Sequence, residues 1–244
     1  MEKRIRGRSL GVVAGILAST LLALGVAMPA FAVSPTNTVS SNNWRVFNYM
    51  PATSSWDINQ AKADGTGGVQ FPFQQFESTT TGSFAVYLLA NYNNDLTGKT
   101  ITATANWTSG TYLTRSTVWP GAYVRVEFQD VASGQYTSND RWWYTGNTLD
   151  LNAATSGTLT APLTDRANWS NLCGKSATDT ATYPGTNCVG GTDPAVSPYD
   201  GFTSAMQNVK QVSLAFGSSG SYASGVAVGT APATFDMTSF TVAP

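Results

Sequence analysis

Short runs rich in apolar and β-branched residues recur along the chain after residue 40, and in two of them apolar and polar positions alternate cleanly. The clearest is "AYVRVEFQD", 122–130, in which Val124, Val126 and Phe128 fall on one face and charged or amide side chains on the other. A period of two is typical of a β-strand with one buried face. The runs that suit strands, because Val, Thr, Tyr, Phe and Trp cluster in them, are 44–50, 82–91, 99–107, 122–130, 141–144, 148–153, 157–163, 211–217, 222–228 and 233–242.

Turn-forming segments separate these runs, so the pattern predicts an all-β protein. "NNDLTG", "GTGG" and "GSSG" contain the residues that turns favour. About ten short strands without a repeated unit predict an antiparallel β-sandwich with jelly-roll topology, which forms a single domain over 33–244.

Two details of the pattern can be checked directly in the structure. A short helix is predicted in "DGFTSAMQNV", where the carboxylate of Asp200 would cap the first turn. In 233–242, strict alternation predicts that Phe235 and Met237 share one face, and that Phe240 and Val242 share the opposite one.

The first 32 residues have the order of a secretory signal peptide. Four basic residues lie among the first eight, an apolar run follows over 10–28, and Pro29 precedes the small-x-small triplet that ends at Ala32. This order predicts secretion, with cleavage after Ala32. The alternative is a retained membrane anchor, because the apolar run approaches spanning length.

Removal of this leader changes the charge balance. The leader carries four of the 13 basic residues and one of the 14 acidic ones, which leaves nine against thirteen and a net charge of about −4. Such a chain lacks the basic surface that nucleic-acid binding requires. We therefore expect no nucleic-acid partner and, after cleavage, no membrane partner.

Both cysteines, Cys173 and Cys188, follow the leader and are fifteen residues apart. Two nearby cysteines in an oxidising compartment are expected to pair. The segment between them is rich in turn formers, so we predict a disulfide that closes a surface loop. A redox or metal pair is the weaker alternative, since the spacing is not CxxC and two thiolates rarely form a metal site.

The chain contains no histidine. This absence excludes Ser-His-Asp and Cys-His catalysis and histidine-ligated zinc. Any chemistry must rest on carboxylates, tyrosines or lysine. Whether the protein is an enzyme stays open at this point, and a non-catalytic function is favoured.

Three segments together resemble the secreted β-jelly-roll carbohydrate-binding modules of the galactose-binding-like kind. They are "DLTGKTITATANWTSG", "AYVRVEFQD" and the ending "VKQVSLAFGSSGSYASGVAVGTAPATFDMTSFTV". The resemblance covers most of Phe84–Val242 and lies at the level of the fold. It implies a jelly-roll whose last strand returns beside its first. It implies a ligand less strongly, and no set of ligand-contacting residues is transferred.

The stretch "SNDRWWY", 138–144, combines aromatic rings with hydrogen-bonding side chains. In a strand, Trp142 and Tyr144 share one face, while Trp143 shares the other with Arg141. Sugars present apolar CH faces and rings of hydroxyls, so a sugar site needs a flat aromatic surface with a polar rim. Burial in the core is the alternative for both tryptophans and is favoured for Trp142. The predicted ligand-binding residues are Asp130, Tyr136, Asn139, Asp140, Arg141 and Trp143.

Glu77 and Glu127 are the only glutamates after the leader. Several β-sandwich glycosidases use two carboxylates on facing strands, one as nucleophile or base and the other as acid. A glycan hydrolase that uses this pair is therefore an alternative function. A surface ladder in which Arg125 pairs with Glu127 is the favoured explanation of Glu127.

Asp57, Asp64 and Asp236 are weak candidates for a structural calcium site. Ca²⁺ takes six to eight oxygen ligands, which can include backbone carbonyls. The "DGTGG" segment after residue 63 lacks the alternating acidic pattern of a helix–loop–helix calcium loop. Turn stabilisation by Asp64 is therefore the favoured explanation, and no other cofactor is predicted.

These observations favour a secreted, non-catalytic protein that binds a poly- or oligosaccharide by aromatic stacking within a polar rim. The alternatives are the carboxylate-dependent hydrolase and a structural or adhesive protein of the cell envelope whose partner is another protein. The sequence leaves the identity of the glycan and the oligomeric state open.

Overall fold

The structure, a computed structural model, describes residues 43–130, 140–179, 200–229 and 232–244. These ranges belong to one compact unit, Pro35–Pro244. In chain order, the elements are β1 (Trp44–Met50), β2 (Ser55–Gln60), β3 (Lys62–Ala63), β4 (Val69–Phe73), β5 (Phe84–Asn94), β6 (Thr100–Trp107), β7 (Tyr112–Thr114), β8 (Tyr123–Gln129), β9 (Arg141–Tyr144), β10 (Leu149–Asp150), β11 (Ser156–Pro162), a 3₁₀ turn (Arg166–Asn168), β12 (Trp169–Asn171), α1 (Gly201–Gln207), β13 (Val209–Gly217), β14 (Val226–Val228) and β15 (Ala233–Ala243).

The strands form two antiparallel sheets, as the sequence predicts. The large sheet has the order β12-β9-β8-β13-β5-β1-β2, with β10 beside β8 and β14 joining β5 to β7. The small sheet has the order β11-β6-β15-β4-β3. The chain crosses repeatedly from one sheet to the other, and the all-β antiparallel sandwich is confirmed.

The hydrophobic core lies between the two sheets. Phe216 of β13 meets Phe235 of β15 with ring centroids 5.1 Å apart, and Phe71 of β4 packs against Phe216 at 5.6 Å. In β8, Val124, Val126 and Phe128 all belong to this core, which confirms the alternation predicted for that strand.

The last strand departs from the predicted alternation. Phe235 and Met237 face the core as expected, but Phe240 and Val242 also belong to it. The pairing of β15 with β6 shifts between Met237 and Ser239, which indicates a bulge. One extra residue reverses the inward and outward sides beyond it. The strand thus buries apolar residues along its whole length.

Asp200 caps α1, as the sequence predicts. Its Oδ1 accepts a hydrogen bond from the backbone N–H of Thr203 at 3.0 Å, and the hydroxyl of Thr203 donates to its Oδ2 at 2.7 Å. Arg166 donates to the same carboxylate at 2.7 Å, so the cap ties the helix to the 3₁₀ turn.

Two expectations at the ends of the chain have different outcomes. β15 pairs with β6 and β4, whereas β1 pairs with β2 and β5, so the last strand does not return beside β1. The leader and Cys188 lie outside the described residues, and both the cleavage and the disulfide stay predictions. Within the described ranges, no helix has the length and apolar character needed to cross a bilayer.

Candidate functional site

The outer face of the large sheet, which points away from the core, carries most of the chemistry found in the sequence. The register pairs Glu127 with Trp143 on one side and with Ser213 on the other. Trp142 packs in the main core, while Trp143 belongs to a second cluster on the outer face. The face assignment of the "RWWY" run is confirmed.

Glu127 is a completely buried acid on this face. Ser213 donates a hydrogen bond to its Oε2 at 2.5 Å, and Gln129 donates to its Oε1 at 3.0 Å. Burial raises the pKa of Glu127 to about 7, although the charge of Arg141 and these hydrogen bonds oppose the rise. The carboxyl group therefore titrates close to neutral pH.

Arg125 is a buried cation two residues away on the same strand. It is 4% exposed, and its Nη1 and Nη2 donate to the carbonyls of Ser218 and Ser219 at 3.0 and 3.4 Å. Its guanidinium lies 4.7 Å from the ring of Tyr222. Burial lowers the pKa of Arg125 to about 10.

These contacts correct the predicted surface ladder of Arg125 with Glu127. Both side chains are buried, and Arg125 binds backbone carbonyls of the segment 218–225, here called the 218–225 loop. Arg125 bonds to this loop, which lies far along the chain, and therefore does not form the exposed ion pair with Glu127 that the alternation suggested. Ion pairs in the described part of the chain include Arg166–Asp200 and Lys175–Asp179.

Three aromatic side chains form a continuous series at the edge of the same face, here called the aromatic series. Trp56 of β2 is 50% exposed, stacks on Tyr87 at 6.3 Å with planes 22° apart, and meets Tyr49 edge-on at 5.3 Å. Arg141 donates a hydrogen bond from Nη1 to the Tyr87 hydroxyl at 2.5 Å and lies 5.0 Å from its ring. Arg115 lies 4.4 Å from the ring of Tyr49.

A cavity of about 270 Å³ adjoins the aromatic series. Here called the Tyr222 cavity, it is lined by Tyr87, Trp143 and Tyr222, and by Asn171 and Leu172 at the end of β12. Tyr87 is shared between the cavity and the aromatic series, so the half-exposed Trp56 and the cavity form one contiguous surface.

A second cavity of about 410 Å³ also borders the 218–225 loop. It is lined by Arg115, Ser221 and Trp119, whose side chain is 51% exposed. Trp119 contacts neither the aromatic series nor Trp143 among the described ring pairs.

The predicted ligand-binding residues are brought together only in part. Arg141 and Trp143 lie on the outer face, but Trp143 is 2% exposed and is not an open stacking surface. Its ring is 6.1 Å from that of Tyr222, which covers it. Tyr136 and Asn139 lie outside the described residues.

Asp130 and Asp140 meet where β8 ends and β9 begins. The backbone N–H of Asp130 donates to the carbonyl of Asp140 at 3.1 Å. Burial, the charge of Asp140 and a hydrogen bond with it raise the pKa of Asp130 to about 7, while Lys210 opposes the rise. The two acids thus interact with each other as a pair at the end of these strands.

The two glutamates of the hydrolase alternative occupy different environments. Glu77 is exposed and follows β4 in a segment outside any strand. Glu127 is fully buried, and the groups that act on it are Arg141, Ser213 and Gln129. The alternation of apolar and polar residues could not predict this difference, because the burial of a side chain depends on segments that are distant in the sequence.

Two of the calcium candidates, Asp64 and Asp236, lie beside each other, and Asp57 has a different partner. Asp64 accepts hydrogen bonds from the backbone N–H groups of Thr66 and Gly68 at 2.7 and 2.9 Å, which confirms its turn role. Burial and the nearby Asp64 raise the pKa of Asp236. Asp57 instead accepts from Asn59 at 2.7 Å. The described residues contain no group of three or more acidic or cysteine side chains suited to a metal ion.

Sequence reasoning missed the exposed part of the site. The run "SWDINQ" places Trp56 and Ile58 on one face of β2, and both are about half exposed. Two large apolar residues at a spacing of two are typical of a strand. The strand was nevertheless not predicted, because the other residues of the run are polar. Tyr87 and Tyr222 were likewise not distinguished from core residues.

Comparisons with known proteins give weak similarities of structure. No protein-family model matches the sequence, and no curated protein matches it. A variant of Xylanase10C from Cellvibrio japonicus, solved with xylopentaose, has 12% identity and a TM-score of 0.36, and the match covers 86% of this chain but 28% of that one. A second structure has 8% identity and a TM-score of 0.41, with 86% of this chain and 95% of that chain covered. It represents the endo-acting O-glycanases that prominent members of the human gut microbiota express to initiate mucin breakdown. At these TM-scores, neither similarity bears on the function of this chain.

Proposed function

We propose that this protein is a secreted, non-catalytic carbohydrate-binding protein that holds a glycan on the outer face of the large sheet. The observation that carries the proposal is the half-exposed indole of Trp56, stacked on Tyr87. The hydroxyl of Tyr87 is in turn held by Arg141. A glycan would lie across the aromatic series and reach the Tyr222 cavity.

The physical basis is the match between a sugar ring and a fixed aromatic surface. Contact between CH groups and an aromatic face removes apolar surface from water, while polar groups at the edge set the orientation. Trp56 is held from behind by Tyr87 and from the side by Tyr49. Little side-chain freedom is therefore left to lose when a ligand binds.

The test is glycan binding by Trp56→Ala and by a matched control, Trp119→Ala. The two indoles are 50% and 51% exposed, but Trp119 lies outside the aromatic series. On a glycan array followed by titration calorimetry, we expect Trp56→Ala to weaken binding roughly tenfold or more, about 1.4 kcal/mol. The control should stay within about twofold of wild type. Silence of the wild-type protein toward all neutral and acidic glycans, or equal losses in both variants, would overturn the proposal.

A carboxylate-dependent hydrolase is the second candidate, favoured by the near-neutral pKa of Glu127 on the outer face. A carboxyl group that titrates near pH 7 is suited to proton transfer. Against this function, both oxygens of Glu127 already accept hydrogen bonds and the side chain is buried. Release of reducing sugar that is lost in Glu127→Gln would establish this function instead.

A further inference from the structure

The indole N–H of Trp143 is a buried donor whose hydrogen bond is not made within the described residues. Trp143 is 2% exposed, and its Nε1 has no acceptor there. Other buried indoles are satisfied: Trp107 donates to the carbonyl of Leu151 at 3.1 Å, and Trp169 donates to that of Pro162 at 2.9 Å. A buried donor without an acceptor is costly, and this one belongs to a residue that lines the Tyr222 cavity.

The walls of the same cavity are backed by positive charge. Arg141 lies 5.0 Å from the ring of Tyr87 and Arg125 lies 4.7 Å from the ring of Tyr222. Arg125 is buried, its hydrogen bonds go to carbonyls, and no described carboxylate forms an ion pair with it. Buried cations are normally paired with an anion, so the surroundings of the cavity favour negative charge.

Glu127, whose carboxyl group interacts with the charge of Arg141, does not cancel this charge completely. Glu127 is paired with Trp143 across the strands, but burial raises its pKa to about 7. A substantial fraction of Glu127 is therefore neutral near pH 7. The chain as a whole is acidic after removal of the leader, which makes the two arginines beside one cavity a local exception.

We propose that the Tyr222 cavity binds the carboxylate of an acidic sugar, a uronic acid residue, and that the Trp143 indole N–H donates a hydrogen bond to it. This inference rests on the proposed function: the neighbouring sugar of the same chain packs on Trp56 and Tyr87. The cavity volume of about 270 Å³ is below the range typical of drug-sized ligands. It suits one sugar residue rather than a longer segment. Trp143 acts here through its N–H and not as a stacking surface.

The experiment compares matched ligands that differ only in charge. Tetrasaccharides of galacturonate, mannuronate and glucuronate are titrated calorimetrically into the protein, each beside its carboxyl-reduced counterpart. We expect at least one acidic form to bind ten times more tightly than its reduced form, and the preference to shrink in high salt. Equal affinity for every acidic and reduced pair would overturn the inference and leave the proposed function intact. Absence of binding by all of them, and by every neutral glycan, would remove both.

The variant Trp143→Phe isolates the hydrogen bond. Phenylalanine keeps an aromatic ring against Tyr222 and removes the N–H, so we expect about a tenfold loss for the acidic ligand and little change for the reduced one. A variant that binds the acidic ligand as tightly as wild type would show that the indole N–H does not hold the carboxylate, and would overturn the inference.

A measurement on the wild-type protein covers the case in which Trp143→Phe fails to fold. The chain has seven tryptophans, whose indole N–H groups give separate NMR resonances. The acidic tetrasaccharide should shift the resonance of a solvent-protected indole downfield, whereas the reduced form should not. No such difference between the two ligands would count against a Trp143–carboxylate bond.

Discussion

Glu127 of β8 and Trp143 of β9 are paired across neighbouring strands. For both residues, the local sequence pattern predicts which face of the sheet carries the side chain, but not whether that side chain is buried. Alternation alone places Glu127 and Trp143 on the outer side of the sheet. Trp143 is covered by Tyr222 of the 218–225 loop, about 80 residues further along the chain, and Glu127 accepts a hydrogen bond from Ser213 of β13. A residue's face is a local property, whereas its exposure depends on distant segments.

The buried carboxyl group of Glu127 makes a defined contribution to stability against pH. Its pKa is raised from 4.5 to about 7 on folding, so the folded state binds the proton more tightly than the unfolded state. The stabilisation is complete below about pH 4.5 and is lost as the pH rises through about 7. The difference corresponds to up to about 3 kcal/mol.

Glu127→Gln should remove this pH dependence. The amide oxygen can accept from Gln129, and the amide nitrogen can donate to the Ser213 hydroxyl, so the hydrogen bonds are retained. Urea unfolding should show a variant that is more stable than wild type at pH 8 by up to about 3 kcal/mol, with the gain vanishing toward pH 4. Glu77→Gln, at an exposed acid, is the control and should follow wild type at each pH. A constant difference between Glu127→Gln and wild type across this range would contradict the assignment.

At the scale of elements, the strands that sequence predicted best are those with one clean apolar face. β1 was predicted with its observed bounds, and β6, β8 and β11 within about two residues. β2 was missed because it is an edge strand with largely exposed residues. The reversal in β15 was missed because a bulge is set by pairing with β6, a strand over 120 residues earlier.

The 218–225 loop depends on a close backbone approach at Gly217, the last residue of β13. A β-carbon at Gly217 would overlap the carbonyl oxygens of Ser221 and Tyr222. Gly217→Ala should therefore displace the loop and lower the free energy of unfolding by roughly 1–3 kcal/mol. Because Tyr222 walls the Tyr222 cavity, glycan affinity should fall as well. Chemical denaturation and calorimetry measure the two effects.

Gly110→Ala is the matched control for this loop prediction. A β-carbon at Gly110 would meet the Val228 side chain at an ordinary distance of 3.5 Å. We expect a change in stability within about 0.5 kcal/mol and unchanged binding. If Gly217→Ala behaved like this control, the loop would not be held in place by the absence of a side chain at Gly217.

In the described part of the molecule, the buried apolar side chains form two separate clusters. The larger part fills the core between the sheets, and a smaller cluster with Tyr87, Leu89 and Trp143 lies on the outer face. A second hydrophobic cluster on the side of a sheet without a covering sheet has no role in closing the sandwich. Together with the arginines behind it, this cluster is the reason why we propose the outer face as the binding surface.

Export and oxidation are proposed for the whole chain from sequence, and they can be tested together on secreted protein. We expect a mature N-terminus at Val33 and a disulfide between Cys173 and Cys188. Closing a loop of this length stabilises a fold by about 3 kcal/mol in the chain-entropy model. The double variant Cys173→Ser, Cys188→Ser should lose about that much in denaturant. Reductant should destabilise wild type to the same extent and leave the variant unchanged. Intact mass under non-reducing conditions reads the N-terminus and the bond directly; two titratable thiols in the secreted wild-type protein would disprove the pairing.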